Sequence, residues 1–299
     1  MRFRTLSKNT RLGIAIVDQG GAMRALFDGD DNFPGTLADC LAAGQDALSH
    51  ASRTLREAPI IEDESAVQLL PPIPRPGKII CVGLNYLDHS QEAGIRAAPE
   101  FPNIFARFAN SLVAHDQPIL LPRVSDKLDF EGELVAVVGR PGRYIEPARA
   151  LDHVAGYSIF NDGSVRDYQL RTAQWVLGKT FDRTGGFGPD FVSWDELPDG
   201  AKGLRLETRL NGAVMQQAST GDMIFDVATL VSICSEAMLL EPGDIIVTGT
   251  PAGIGHARKP PVYMTAGDIC EVSIEQLGTL RNPIATDAAR AAPDSHDAG

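Results

Sequence analysis

The chain has 299 residues, 43% of them hydrophobic, with 27 basic and 39 acidic side chains, a formal charge of −12 and a pI near 4.9. This is an ordinary globular composition, long enough for one large or two modest domains. The acidic balance argues against nucleic-acid binding, which needs a cationic surface; it leaves room for a small anionic substrate, because a local metal or Arg cluster outweighs the distant field at contact range.

The start, Met1-Arg2-Phe3-Arg4-Thr5, has no apolar signal core, and no apolar run reaches membrane-spanning length, so a soluble cytoplasmic protein without membrane association is expected. Cys40, Cys81, Cys234 and Cys270 are far apart and lie in apolar runs, which reads as buried thiols rather than a zinc ribbon or disulfides. Residues 1–72 read as a small N-terminal α/β unit. Leu12 to Val17 and Met23 to Phe27 flank Asp18-Gln19-Gly20-Gly21 in a strand–turn–strand pattern, and Thr36 to about Leu55 is Ala/Leu-rich and helical in pattern. Pro71-Pro72-Ile73-Pro74-Arg75-Pro76-Gly77 can continue neither a helix nor a central strand and marks a boundary. Residues 73–286 form the main unit, and the Ala/Asp-rich tail, 287–299, is expected to be disordered.

Lys78 to Gly83 reads as a buried strand. If Leu87 to Glu92 turns helically, His89 and Glu92 share a face at i and i+3, where the carboxylate can orient the imidazole as a proton acceptor; the bland reading is a surface His–Glu pair. The weakly patterned stretch from Ala93 to Pro102 has the character of a mobile lid. Next comes Asp129-Phe130-Glu131-Gly132-Glu133-Leu134-Val135-Ala136-Val137-Val138-Gly139, the most informative run in the chain. Its Val-rich half is strand-like, and period two points Asp129, Glu131 and Glu133 the same way as Val135 and Val137. Carboxylates at the mouth of an apolar strand are either solvated at its surface end or neutralised by a cation or a proton. Gly132 removes bulk between the glutamates and suits a close approach.

A second apolar strand, Gly156 to Asn161, ends in Asp162, so Glu131, Glu133 and Asp162 can form a carboxylate site suited to a hard divalent ion, Mg2+ or Mn2+. On a helical turn Asp162, Arg166 and Gln169 would share one face, as an ordinary ion-paired surface or as an Arg fork and amide donor for a carboxylate. Lys179, set between apolar residues, either snorkels or, half-buried, stabilises an oxyanion. Asp226 caps a helix from Val227 to Leu240, stopped by Pro242-Gly243; Ile245 to Thr248 and Ile269 to Ile274 are strand-like. Thr248-Gly249-Thr250-Pro251-Ala252-Gly253-Ile254-Gly255 is a glycine-rich turn whose amides could hold an anion; it lacks the Gly-Lys-Ser/Thr ending of a phosphate loop. Strands predominate without regular βα alternation, which excludes a doubly wound parallel sheet.

In order, Val82-Gly83-Leu84-Asn85-Tyr86 with His89 and Glu92, Phe130-Glu131-Gly132-Glu133, Asn161-Asp162, Arg166-Asp167-Tyr168-Gln169, Gly178-Lys179, Asn211-Gly212 and Pro242-Gly243-Asp244 with Thr248-Gly249-Thr250-Pro251 resemble the fumarylacetoacetate hydrolase family, in a bacterial acylpyruvase-like form, from about Ile80 to Asn282. The resemblance implies an α+β, β-rich fold with a rolled mixed β-sheet core and flanking helices, usually a homodimer. It implies one Mg2+ or Mn2+ on Glu131, Glu133 and Asp162, a catalytic His89–Glu92 pair on a lid, and Lys179, Gln169, Arg166 and Thr250 as substrate contacts. Where many relatives have Lys, this chain has Arg107, which keeps the charge and changes its geometry. The implied reaction is hydrolysis of a C–C bond in an acylpyruvate such as fumarylpyruvate or maleylpyruvate, in aromatic catabolism. Its rivals are oxaloacetate decarboxylation or hydroxymuconate-type isomerisation by the same enolate chemistry, and a binding protein in which the metal is only a staple.

Overall fold

Period-two alternation sorts the core into layers. In the strand that follows the acidic motif, Leu134, Ala136 and Val138 pack on one side of the sheet and Val135 and Val137 on the other. The computed structural model describes residues 1–18, 20–92 and 98–287. Along the chain these form β1 (Arg2–Lys8), β2 (Arg11–Val17), β3 (Met23–Phe27), α1 (Leu37–Ala43), α2 (Gln45–Arg56) and β4 (Gln68–Leu70). After the Pro-rich run come β5 (Ile79–Gly83), α3 (Leu87–Glu92), β6 (Asn103–Ala106), β7 (Leu112–Val113), β8 (Ile119–Leu121), β9 (Leu128–Asp129), β10 (Gly132–Val138) and β11 (Val154–Asp162). The rest is β12 (Ser164–Val165), α4 (Arg166–Gln169), α5 (Val176–Lys179), β13 (Gly185–Ser193), β14 (Arg205–Leu210), β15 (Ala213–Ser219), α6 (Val227–Ala237), β16 (Ile245–Val247), β17 (Ile269–Ile274) and β18 (Gly278–Thr286), with short 3-10 turns between.

The fold is α+β and β-rich. An 11-stranded mixed sheet runs β3-β2-β1-β13-β11-β10-β16-β5-β6, with β4 added on β1 and β7 on β13. A 5-stranded sheet runs β15-β14-β17-β18-β8. Pairs β10–β11 and β11–β13 are antiparallel, while β16–β5 is parallel. Helix α6 and the second sheet cover one face of the large sheet, where Leu230 and Val231, Leu206 and Val272 meet Leu134 and Ile159. Helices α1 and α2 cover the other, placing Leu37, Leu41, Leu48 and Leu55 with Val135, Phe160 and Ile245. The N-terminal strands continue the large sheet, since β1 pairs with β13 through Arg2–Val192 and Phe3–Phe191.

Several sequence expectations are met in place. The β2–β3 hairpin forms, with Gln19 outside the described residues. All four cysteines are free and buried. Asp226 caps α6 by accepting from Thr229 N at 3.0 Å. Two helix boundaries differ. The expected helix from Thr36 to Leu55 is two helices, broken at Gly44 (φ 94°, ψ −177°), a conformation that only glycine adopts without strain. Helix α6 stops at Ala237, short of Leu240, because Leu240 leaves to pair with Gly142. The hairpin from β14 to β15 turns on Asn211-Gly212, both at positive φ (51° and 79°), a dipeptide suited to such a turn. No helix among the described residues is long and apolar enough to cross a membrane. The C-terminal segment 288–299, expected to be disordered, lies outside the described residues.

Candidate metal centre and its cavity

Glu131, Glu133 and Asp162 come together. One carboxylate oxygen from each lies within 4.8 Å of the others, and all three residues are buried. Topology explains the meeting: β10 and β11 are antiparallel neighbours with Gly132 opposite Asn161, so the start of one strand and the end of the other coincide. Asn161 ties the motif in place, its Oδ1 accepting from Glu131 N at 3.0 Å. Gly132 admits the second sheet rather than a ligand: a Cβ there would sit 2.2 Å from Thr208 Oγ1. Asp129 points into the same region but is not one of the three. It accepts from the backbone N–H groups of Gly255 (2.8 Å) and His256 (2.9 Å) and from Arg166 Nε (2.8 Å).

Cations surround the acids. Lys179 Nζ lies 2.8 Å from Glu131 Oε2 and donates also to Asp162. Arg166 Nη2 is 2.8 Å from Asp129 and 2.6 Å from Glu131. The expected Asp162–Arg166 face is absent: Asp162 ends a strand, and α4 begins only at Arg166. Gln169 instead receives Arg166 Nη1 on its Oε1 at 2.8 Å, which turns its amide NH2 away from that bond. Lys179, expected to be half-buried, is 1% exposed. Arg107 is buried behind Asp162, pairs with it, and donates to Thr184 Oγ1 (2.9 Å) and Gly163 O (3.1 Å). Its planar fork is used on the protein, not on substrate shape.

These charges do not balance. Asp129, Glu131, Glu133 and Asp162 face Arg107, Arg166 and Lys179, and the surplus negative charge falls on Glu133. Burial, and then the carboxylates of Asp162 and Glu131, push the Glu133 carboxyl far above its ordinary pKa. Burial also opposes the charge of Glu131, but Lys179, Arg166 and His89 outweigh it and hold its pKa below the ordinary value. Lys179 is likewise penalised by burial, yet Asp162 and Glu131 raise its pKa, so the ammonium persists. Among the described residues the hydrogen bond to Glu133 is the one from Gly249 N. A buried, under-satisfied carboxylate in an all-oxygen cluster fits a hard divalent cation.

The glycine-rich turn serves a different purpose from the one expected. Its amides hold this protein's own acids: Gly249 donates to Glu133, Gly253 to Glu92 (3.1 Å), and Gly255 to Asp129. The Thr250 hydroxyl is committed as well, donating to Gly132 O and accepting from Gln216 Nε2 at 2.8 Å. Thr250 still lines a cavity of about 160 Å3 with His89, Glu131, Arg166, Gln169 and Lys179. Apolar walls come from Val82, Phe105, Trp175 and Ile254. The His89–Glu92 pair forms as expected, on α3, with Nδ1 3.3 Å from Glu92 Oε2. With Nδ1–H donated to the carboxylate, Nε2 keeps a lone pair for a proton. Residues 93–97 of the expected lid lie outside the described residues.

Helices α4 and α5 are pressed together at Gly178, where a Cβ would lie 2.3 Å from Gln169 N and 2.4 Å from its Cα. Backbone cannot yield as a side-chain end can. Gly178→Ala is therefore expected to cost about 1–3 kcal/mol of stability and to displace Lys179 and Gln169 together. A denaturant melt with steady-state assays would show a lower midpoint and a loss of activity larger than the unfolded fraction explains.

A family model described as fumarylacetoacetate (FAA) hydrolase C-terminal matches residues 78–285. The mitochondrial oxaloacetate tautomerase of Xenopus laevis is 39% identical over 280 residues, covering 93% of this chain and 87% of that protein. Oxaloacetate tautomerase YisK of Bacillus subtilis (strain 168) is 39% identical, covering 90% of this chain and 92% of its own length. Among solved structures, fumarylacetoacetate hydrolase from psychrophilic Exiguobacterium antarcticum superposes with a TM-score of 0.82 at 36% identity, covering 96% and 99% of the two chains.

Proposed function

The chain belongs to the fumarylacetoacetate hydrolase family, and we propose that it is a Mg2+- or Mn2+-dependent enzyme acting on a small 2-oxo acid by enol chemistry, with keto–enol tautomerisation of oxaloacetate as its reaction. One observation carries this reading: His89, paired with Glu92, lines a cavity of about 160 Å3 together with Glu131, one of three clustered buried carboxylates that are one cation short. That volume lies below the ~300–1,000 Å3 typical of drug-sized ligands and suits an acid of a few carbons. The tautomerase names carried by relatives at 39% identity support the same choice.

Glu131, Glu133 and Asp162 would hold the cation, which would supply Lewis-acid polarisation of the 2-oxo carbonyl. His89 Nε2 takes a proton from the carbon next to that carbonyl, while Glu92 holds the ring in the tautomer that can accept it. The same proton returns to the carbonyl oxygen to give the enol, or follows the reverse course. Lys179 and the Gln169 amide supply donors as negative charge builds on the oxygen. Apolar walls keep bulk water away from the reacting atoms.

C–C bond hydrolysis of an acylpyruvate is the second reading. It is supported by the similarity to the Exiguobacterium fumarylacetoacetate hydrolase and by the ability of the same imidazole to activate water. Both readings begin from the same polarised 2-oxo acid. The test uses protein stripped with a chelator and reloaded with Mg2+ or Mn2+, assayed on oxaloacetate enol and on acylpyruvates. The account expects oxaloacetate tautomerisation at least about 10²-fold above buffer, lost on chelation and restored by either ion. Cleavage of acylpyruvate without tautomerisation would select hydrolysis; inactivity on every substrate with tight metal binding would leave the ion as a staple.

A further inference from the structure

We propose that His256 is the specificity-determining residue that receives the distal carboxylate of a 2-oxo diacid. This rests on the enol-chemistry reading above and deepens it, because it states why the substrate would carry a second acid group.

A diacid brings two carboxylates to one cavity. The first belongs with the 2-oxo group near Glu131, Glu133 and Asp162. The second needs its own donor, and the obvious cations are spent. Arg107 is paired with Asp162, Arg166 with Asp129 and Glu131, and Lys179 with Glu131 and Asp162. His89 is tied to Glu92. Among the described residues that line the cavity, the remaining imidazole is His256. It is exposed where the carboxylate cluster is buried, so it sits at the outer end, where the far end of a substrate would lie.

His256 is also held in a fixed pose. Its backbone N–H donates to Asp129 Oδ2 at 2.9 Å, which links it to the same buried carboxylate that anchors Arg166. Its Nδ1 lies 2.8 Å from the Tyr263 hydroxyl. Nε2 has no partner among the described residues. If the phenol donates to Nδ1, Nε2 carries the ring hydrogen; if the ring is an imidazolium, Nδ1–H donates to the phenol oxygen and Nε2 again carries a hydrogen. Both states offer Nε2–H to an anion, and an incoming carboxylate selects them over the neutral Nδ1–H form, which the Tyr263 hydroxyl could also accept from.

Oxaloacetate and pyruvate differ by this distal carboxylate alone, so they are the probes. Binding of each to the Mg2+-loaded protein would be titrated calorimetrically, and KM and kcat measured for oxaloacetate. In wild type, oxaloacetate should bind at least about tenfold more tightly than pyruvate, and His256→Ala should erase that advantage while leaving pyruvate affinity and kcat within about twofold, the pattern of a lost ground-state contact to a charged group. Tyr263→Phe should move oxaloacetate affinity in the same direction by about threefold. Equal weakening of both probes, or no change in either, would overturn the proposal. Lack of turnover in wild type would count against the enol-chemistry reading; the ratio of the two dissociation constants decides the role of His256 regardless.

Discussion

Glu133→Gln is expected to abolish divalent-ion binding and activity while leaving the metal-free fold at least as stable as wild type. The side chains are nearly isosteric, so packing is kept. The amide stands in for the protonated carboxyl that burial and the charges of Asp162 and Glu131 favour without the ion, but it cannot ionise to receive a cation. Without a charge at that position, the cluster has no remaining electrostatic demand for a cation. Wild type at 100 times the dissociation constant should gain about 2.7 kcal/mol from the ion, or roughly 5 °C or more in melting temperature. In Glu133→Gln that gain should vanish, and activity should fall on the order of 10³-fold or more as Lewis-acid assistance is lost. A variant that still gained stability from Mg2+ or Mn2+ would place the ion elsewhere.

The second large effect belongs to His89. His89→Asn removes the proton acceptor but touches none of the three candidate ligands. Activity should fall about 10²–10⁴-fold, with metal-dependent stabilisation unchanged. Glu92→Gln should give a smaller loss, because the amide oxygen can still orient the ring, more weakly, and can still accept from Gly253 N, which ties α3 to the glycine-rich turn. The pair of variants separates the two halves of the site: one loses the ion and the other keeps it. Activity in His89→Asn close to wild type would remove His89 from the proton path.

Local pattern made much of this site legible. The alternation in β10 put Glu133 at the mouth of an apolar strand, the strand leading to Asp162 ended where it was read, and the i,i+3 spacing of His89 and Glu92 was realised on α3. What stayed hidden depends on contacts distant in sequence. Arg166 finds Asp129 and Glu131 rather than Asp162, since the chain leaves β11 through β12 before any helix starts. The amides of the glycine-rich turn hold Glu133, Glu92 and Asp129, a use that no turn signature distinguishes from anion binding. Arg107 is a visible departure from the family pattern, but its burial behind Asp162 depends on Gly163 and Thr184, which come from distant parts of the chain. His256 carried no signal beyond its position just past Gly255. The choice of reaction was the least legible, because tautomerisation, decarboxylation and C–C hydrolysis share one activated 2-oxo acid and differ in what happens next.

The central claim is that Glu131, Glu133 and Asp162 together hold one divalent ion. Anomalous diffraction at the manganese edge, from crystals of the protein loaded with Mn2+, tests it most directly. The account predicts one peak per chain, within coordination distance of an oxygen from each of the three carboxylates. A peak bound by other residues, or none at saturating Mn2+, would contradict it.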